Sequence, residues 1–387
     1  MIPIKKELKL ILIIGFILVG FSIALPFILN SLKQQTEQSV GYIRIYVNSA
    51  IYSQIYNQVE QYKNDVSNQG FSVDIINWSI FNVVTLKNDI LNASLNRTDF
   101  KGVVLIGTFP AAFRTHYVSG WGNFKYPCDL FLTDLDGNWT DPDGDLIYEI
   151  HTNGTGDVLP DIFLGRINPY PISGINHVKA LKNYFKRNHE YRTNILNRPH
   201  SALLYIDDDW SAYSNEWLSN FTAYSNITMV DNNYITAPTD YKYQLSNRTY
   251  EFVHLMVHSW DYEHQFHKPS PSFPFYTVYP LNYTEIYNLY TKPLFYNLFA
   301  CFACNFTKID NMGTHYLFSN NTLAVIGSSR SGGMFLYQPF YDSLKSGKTI
   351  GEAFKTWFHN HELITFNHWN DSLGMTILGD PLLTIYM

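Results

Sequence analysis

Short apolar runs alternate with amphipathic segments along residues 41–195. Tyr42–Val47 and Gly102–Ile106 are almost continuously apolar, as is typical of strands buried on both faces. Between them, Ala50–Asn68 carries apolar residues at helical spacing. The same patterns predict further strands at Val73–Ile76 and Pro160–Ile167, and a helix at His177–Tyr191. This order predicts a parallel sheet covered by helices on both faces.

The pattern begins again after residue 195. Apolar runs predict strands at Ala202–Ile206, Phe252–Val257, Leu294–Ala300 and Leu323–Ile326, and helical spacing predicts helices at Ala212–Tyr224 and Ile350–His359. The fold class is therefore α/β. We expect two tandem three-layer α/β/α halves with mostly parallel sheets, residues 41–195 and 196–387.

Residues 10–29 form an uncharged apolar stretch that is long enough to cross the hydrocarbon layer of roughly 30 Å as a helix. Lys5, Lys6 and Lys9 precede it, so the positive-inside rule predicts a cytoplasmic tail at 1–9, a transmembrane anchor at 10–29 and a linker at 30–40. The bulk of the chain is then extracellular. The alternative is a cleaved signal peptide, but Leu25–Pro26 makes a poor cleavage site.

The chain has only three cysteines, so as an external protein it would not rely on a framework of disulfides. A second feature agrees with an external location. Asn-x-Ser/Thr acceptor sites, which predict a glycoprotein, occur at Asn77, Asn92, Asn96, Asn138, Asn153, Asn220, Asn226, Asn247, Asn282, Asn305, Asn320 and Asn370.

Composition narrows the choice of partners. The chain is 46% apolar and 16% charged, which excludes a disordered protein. Its net charge is −6 and its basic residues are spread thinly, so we expect no nucleic-acid partner.

The clearest chemical signal is a histidine and a cysteine that each follow an apolar strand. His258 ends FVHLMVH, and Cys301 ends FYNLFAC some forty residues later. Ligands gather at the carboxyl ends of parallel strands, so we expect both side chains at one edge of the sheet. An imidazole there can take the proton of a thiol and create a nucleophile, and backbone N–H groups at the strand ends can hold an oxyanion.

These segments resemble the gingipain-type cysteine peptidases of the caspase-like clan. That family shows a hydrophobic block before His-Gly and a second hydrophobic block before Ala-Cys. The resemblance extends through DLDGNWTDPDGD, DIFLGRI, LAVIGSSRSGG and ILGDPLL, and covers most of residues 125–385. It implies a caspase-like fold and an endopeptidase acting on protein or peptide substrates. Its dyad would be His258 and Cys301, with an acyl-enzyme intermediate and no cofactor in the chemistry.

The sequence departs from the family pattern at two positions. Ser259 stands where the family usually has the glycine after its histidine, a residue that lets the backbone approach the substrate and adopt positive φ. This departure favours a second hypothesis, a catalytically inactive peptidase-like protein that serves in surface binding or adhesion. Cys304 is an alternative nucleophile, and with Cys301 it also matches the CxxC spacing of a redox pair.

An acid is needed to orient the histidine. Asp207, Asp208 and Asp209 follow the strand Ala202–Ile206 and are the best placed, with Asp208 at their centre. Glu251 and Asp261 are further candidates that the sequence does not rank.

An acidic run follows Asp129 in the first half. Alternating carboxylates and glycine turns offer the hard oxygen ligands that calcium prefers, although the run is not an EF-hand. The candidate ligands of this structural calcium site are Asp134, Asp136, Asn138, Asp141, Asp143 and Asp145. A zinc site made of His254, His258, His264 and His267 is a weaker alternative, because no spacing pattern supports it.

Overall fold

The computed structural model describes residues 39–118, 120, 122–269, 276–332, 335–363 and 369–385. The predicted cytoplasmic tail, transmembrane anchor and most of the linker lie outside these ranges. Among the helices that are described, none has the length and apolar character needed to span a bilayer.

The strands and helices agree closely with the predicted pattern. The strands are β1 (Gly41–Asn48), β2 (Phe71–Trp78), β3 (Phe100–Ile106), β4 (Phe113–Val118), β5 (Gly122–Pro127), β6 (Asn138–Thr140), β7 (Ile150–Thr152), β8 (Phe163–Ile167), β9 (Ala202–Ile206), β10 (Ile227–Val230), β11 (Phe252–Met256), β12 (His258–Ser259), β13 (Glu263–Pro269), β14 (Tyr276–Asn282), β15 (Phe295–Phe299), β16 (Ala324–Ser328), β17 (Phe335–Leu336), β18 (Glu362–Leu363) and β19 (Met375–Gly379). The α-helices are α1 (Ser49–Asn68), α2 (Val83–Asn96), α3 (Leu130–Thr133), α4 (His177–Arg192), α5 (Ser214–Asn220), α6 (Pro238–Asn247), α7 (Tyr283–Asn288), α8 (Met312–Leu317), α9 (Gln338–Lys345) and α10 (Ile350–Asn360).

The two predicted halves contribute to one sheet, not to two. Ten strands are hydrogen-bonded in the order β10-β9-β11-β15-β16-β19-β8-β3-β1-β2. Neighbouring strands are parallel except β16 and β19, which are antiparallel. β1, β2, β3, β8 and β19 therefore form one parallel block, and β9, β10, β11, β15 and β16 form a second block that runs in the opposite direction. The protein is a mixed α/β fold with a large, mostly parallel sheet.

Alternation along each strand divides the sheet's side chains between two layers. On β1, Ile43, Ile45 and Val47 pack on one face, whereas Tyr42 and Tyr46 pack on the other. Because both faces are covered, strands of this kind are apolar along their whole length. This is why the continuous apolar runs were sufficient to locate them.

A buried ion pair lies beside β19, the strand whose other neighbour, β16, belongs to the opposite block. Arg166 on β8 donates from Nε and Nη2 to Asp129, with distances of 2.6 to 3.0 Å. Thr376 on β19 donates to the same carboxylate at 2.6 Å. Such a pair is stable in the interior only when its remaining hydrogen-bonding capacity is satisfied. Asp129 thus connects β19 to β8, and it is not part of a cation site.

Candidate active site

His258 and Cys301 lie at equivalent positions just beyond the ends of two neighbouring parallel strands. β11 and β15 pair in register, with Met256 opposite Phe299 as the last pair. His258 and Cys301 each follow that pair by two residues. The strand pattern therefore brings both side chains to the carboxyl edge of the second parallel block.

The two side chains line the same pocket. The pocket has a volume of about 170 Å³, and its walls include Trp210, Phe335 and Met375. Cys301 is partly exposed, whereas the other two cysteines are buried. Cys301 is therefore the thiol that a molecule in this pocket can reach.

Asp209 holds the ring of His258. The Nε2 atom of His258 lies 2.6 Å from Oδ2 of Asp209, and the Trp210 ring packs against the imidazole with centroids 4.4 Å apart. An ionised carboxylate can only accept a hydrogen bond, so the ring nitrogen that faces it, Nε2, is the one that carries hydrogen. Nδ1 then remains as the basic nitrogen of neutral His258.

A second histidine shares this carboxylate. Nδ1 of His267 lies 3.2 Å from the same Oδ2 atom of Asp209, and the two imidazole rings are 4.6 Å apart. Hydrogen bonds from His258 and His267 lower the pKa of Asp209. The hydrogen bond to Asp209 raises the pKa of His267. His267 was predicted only as part of a zinc site, and its contact with Asp209 was not predicted, because β13 returns to the site through a hairpin that no sequence motif indicates.

Asp209, and not the predicted Asp208, is the aspartate that contacts the imidazole of His258. The residues Asp208–Tyr213 form a 3-10 turn, which turns successive side chains in different directions, and only the third aspartate reaches His258. Asp207 is buried and accepts the backbone N–H of His267, and burial raises its pKa to about 6. Glu251 lies before β11, at the opposite end of the strand, where it bonds His200 and Tyr224.

Ser259 turns its side chain away from the pocket. Its hydroxyl donates to the carbonyl oxygens of Trp260 and Glu263 at 2.7 and 2.9 Å, and Nδ1 of His264 lies 3.1 Å from it. Its φ is not positive. The conformation that would require glycine is therefore not used at this position.

Phe302, directly after Cys301, has the positive φ instead. Its φ is 59°, which is uncommon for a bulky residue. Its N–H donates to the carbonyl oxygen of Arg330 at 2.8 Å, and its ring stacks on Trp260. These contacts stabilise a turn directly after Cys301. Cys301 lies at the pocket, and the chain returns to the core after the turn.

Cys304 lies in that core. It is fully buried, and burial raises the pKa of its thiol. A Cβ atom added at Gly313 or Gly327 would lie 2.6 Å from its sulfur, so the two glycines make room for this side chain. Cys304 is therefore a packing residue, and the structure does not favour it as a nucleophile or as an accessible member of a redox pair.

Two of the four histidines of the zinc hypothesis come together: His258 and His267 form a group with Asp209 whose ligand atoms lie within 4.8 Å of one another. His254 and His264 do not belong to this group. His254 is buried on β11, where the Tyr341 hydroxyl lies 2.8 Å from its Nδ1. His264 is buried between Ser259 and Tyr316. Burial lowers the pKa of both imidazoles to about 3.

The acidic run divides into two groups. The first is Asp134, Asp136 and Asp161, and the second is Asp141, Asp143 and Asp145; within each group the nearest oxygens lie within 4.8 Å of one another. Asn138 lies at the start of β6, and Asp161 was missed because it lies just before β8, outside the acidic run. Asp134 is buried and already accepts hydrogen bonds from Gly137, Trp139 and His151.

The donor chemistry of both groups fits a hard cation, since each offers three carboxylates. In the second group, Asp141 accepts backbone N–H groups of Gly144, Asp145 and Leu146, which is also the arrangement of an acidic turn without an ion. Calcium therefore stays a prediction. Among the proposed glycosylation sites, Asn220 and Asn305 are buried and are poor acceptors.

A partly exposed thiol and an acid-bound imidazole line one pocket at the end of parallel strands in an α/β sheet, which is the pairing that a cysteine nucleophile and its base require. The family model for peptidase family C25, the gingipain family, matches residues 35–386. The chain belongs to this family. No curated protein matches the chain.

Proposed function

We propose that the protein is a cysteine endopeptidase that cleaves peptide bonds through Cys301 and His258. The observation that carries this proposal is the shared pocket of the two side chains, with Asp209 fixing the imidazole. Membership of a family of cysteine peptidases supports the same reaction class.

The residues have distinct roles in the proposed reaction. Nδ1 of His258 takes the proton of the Cys301 thiol, and the sulfur attacks the carbonyl carbon of the scissile bond. His258 then gives this proton to the leaving amine as the C–N bond breaks, which leaves an acyl-enzyme. A water molecule, deprotonated by the same nitrogen, hydrolyses the thioester and restores the thiol. Asp209 stays ionised and stabilises the imidazolium that forms in each half-reaction.

The oxyanion of each tetrahedral intermediate needs donors near the two strand ends. We propose that the backbone N–H of Ser259 is one of them. The side chain of Ser259 is bonded inward, so it does not fill the space that the substrate carbonyl would use. In this account serine replaces glycine without loss of catalysis, because positive φ is not needed there.

We also propose that residues 10–29 anchor the enzyme in a membrane, with the catalytic part outside the cell. The uncharged apolar stretch and the lysines before it support this placement. The substrates are then extracellular proteins or peptides. A structural calcium ion at the acidic groups is part of the same proposal, with no role in the chemistry.

Cleavage of a casein-like protein by the full-length chain in mild detergent tests the function. We expect turnover by the natural chain, its loss in Cys301→Ala and in His258→Ala, and full retention in Cys128→Ala, since Cys128 is buried away from the pocket. Turnover that persists in Cys301→Ala overturns the proposed mechanism. A natural chain that is folded yet inactive supports the second candidate, a binding or adhesion protein with a peptidase-like fold.

A further inference from the structure

The pocket beside Cys301 is apolar. Among the described residues that line it, none carries a carboxylate, an ammonium or a guanidinium group, and His258 is the one titratable base. Leu298, Phe299, Phe335, Tyr337 and Met375 form most of its walls. The internal gaps in the described ranges contain no aspartate or glutamate in sequence.

The size of the pocket suits one side chain. Its volume of about 170 Å³ is close to the roughly 150 Å³ of an engineered apolar cavity that binds benzene. It is well below the about 300–1,000 Å³ of pockets that hold a drug-sized molecule. A leucine, methionine or phenylalanine side chain is therefore the largest group that it accepts.

Tryptophan side chains pack against the residues that form the walls of the pocket. Trp357 on α10 stacks on Tyr337, with ring centroids 5.2 Å apart, and meets Phe335 edge-on at the same distance. Its Nε1 donates to the carbonyl oxygen of Leu336 at 2.9 Å. On the opposite side Trp210 packs edge-on against Phe299. The pocket is thus formed before any substrate arrives, which lowers the entropic cost of binding.

Two charged side chains beside the pocket, Asp209 and Arg330, form hydrogen bonds with other residues. Asp209 is bonded to His258 and His267. The guanidinium of Arg330 donates to the carbonyl oxygen of Ser331 and to Nδ1 of His116, at 2.9 and 2.8 Å. Neither group lines the pocket.

The chemistry of the acyl-enzyme determines which substrate residue enters this space. The carbonyl carbon bonded to the sulfur of Cys301 is directly attached to the Cα atom of the residue before the scissile bond. That residue's side chain must therefore lie in the space next to Cys301. The pocket of about 170 Å³ that Cys301 lines provides this space.

We propose that the enzyme cleaves after apolar residues of medium to large size, with leucine, methionine and phenylalanine preferred. This proposal rests on the proposed function, because it assigns a substrate to the same site. A charged side chain would lose its hydration in the pocket without gaining a partner, which is a large penalty. We expect kcat/KM for phenylalanine or leucine at this position to exceed that for arginine or aspartate by about 100-fold or more.

The test uses the full-length chain and a set of peptides that differ only in the residue before the scissile bond, with cleavage sites identified by mass spectrometry. Met375→Glu places a carboxylate in the pocket, and Met375→Gln is its neutral control. We expect Met375→Glu to gain cleavage after arginine and lysine relative to the control. Gly332→Leu adds a side chain where a Cβ atom meets only Ser328 at 3.9 Å, and should shift the preference towards alanine and glycine.

Two outcomes separate this proposal from the proposed function. Cleavage after charged residues that is lost in Cys301→Ala overturns the apolar preference and leaves the peptidase assignment intact. If the natural chain cleaves no peptide, binding of N-acetyl peptide amides to Cys301→Ala is measured by thermal shift. Stabilisation by the phenylalanine or leucine ligand, but not by arginine, supports the pocket assignment alone. No stabilisation, or stabilisation by arginine, overturns it.

Discussion

Asp209 lies 2.6 Å from His258, measured from carboxylate Oδ2 to imidazole Nε2. This contact sets which ring nitrogen carries hydrogen, and leaves Nδ1 as the base for the proposed reaction. The same oxygen also contacts His267, so one carboxylate organises two imidazoles.

Replacing Asp209 should reduce turnover without unfolding the protein. In Asp209→Asn, the amide can donate to Nε2, which would stabilise the wrong tautomer and leave no charge to stabilise the imidazolium. We expect kcat to fall by about 100-fold or more, within the range of acid–base contributions. Asp208→Asn is the matched control, and its kcat should stay near that of the natural chain. Equal losses in the two variants would contradict the assignment of Asp209.

The Asp209 cluster also predicts a pH dependence of stability. The lowered pKa of Asp209 gives stability that is present above its unfolded value of about 3.9 and is lost as pH falls through the folded value. The raised pKa of His267 gives stability that is present below its unfolded value of about 6.5 and is lost as pH rises through the folded value.

Asp209→Asn should therefore destabilise the chain most between about pH 4 and 6.5, where the carboxylate is ionised and His267 is protonated. The measurement is the difference in unfolding free energy between the natural chain and this variant, by denaturant titration at pH 5 and pH 8.5. A difference that is larger at pH 8.5 would contradict the interpretation of this cluster.

Cys304 should matter for stability and not for chemistry. Cys304→Ala removes a buried sulfur and should cost about 1 kcal/mol of unfolding free energy, while activity per folded molecule is kept. Cys304→Ser buries a hydroxyl in the same apolar space and should cost about 1–3 kcal/mol. The check combines thermal unfolding with kcat/KM on a peptide substrate. Loss of activity in a folded Cys304→Ala variant would restore this residue as a candidate nucleophile.

Calcium should raise the melting temperature if an acidic group holds it. Sites in extracellular modules bind with dissociation constants of about 10⁻⁴–10⁻³ M, so millimolar calcium is the relevant condition. We expect stabilisation relative to a chelator, its loss in Asp136→Asn and its retention in Asp143→Asn. This pair distinguishes the group that includes Asp161 from the exposed turn. A melting temperature that is the same with and without calcium would contradict the proposed calcium site.

The order of elements could be predicted because most strands are covered on both faces. Ala202–Ile206 was predicted with its observed bounds, and the helix Ile350–Asn360 presents Ile350, Ala353, Trp357 and Phe358 to the core as its spacing indicated. The single sheet could not be predicted. β19 pairs antiparallel with β16 and parallel with β8, and these contacts between distant segments leave no local pattern.

The candidate site, like the fold, was predicted only in part. Strand ends located His258 and Cys301, because the carboxyl edge of a parallel block is a property of the whole block. The sequence did not indicate which of the three consecutive aspartates contacts His258, because a 3-10 turn directs each side chain differently. His267 and the walls of the pocket depend on a hairpin and on packing behind Tyr337, which no motif describes.

Alkylation by iodoacetamide at pH 6, followed by mass spectrometry of the full-length chain, tests whether Cys301 and His258 act together. A free cysteine is then about 0.3% thiolate, so fast labelling requires a neighbouring group that takes the proton. We predict that Cys301 is labelled before Cys128 and Cys304, and that His258→Ala slows this labelling by about tenfold or more. Equal rates at Cys301 in the natural chain and in His258→Ala would contradict the claim that the two residues act together.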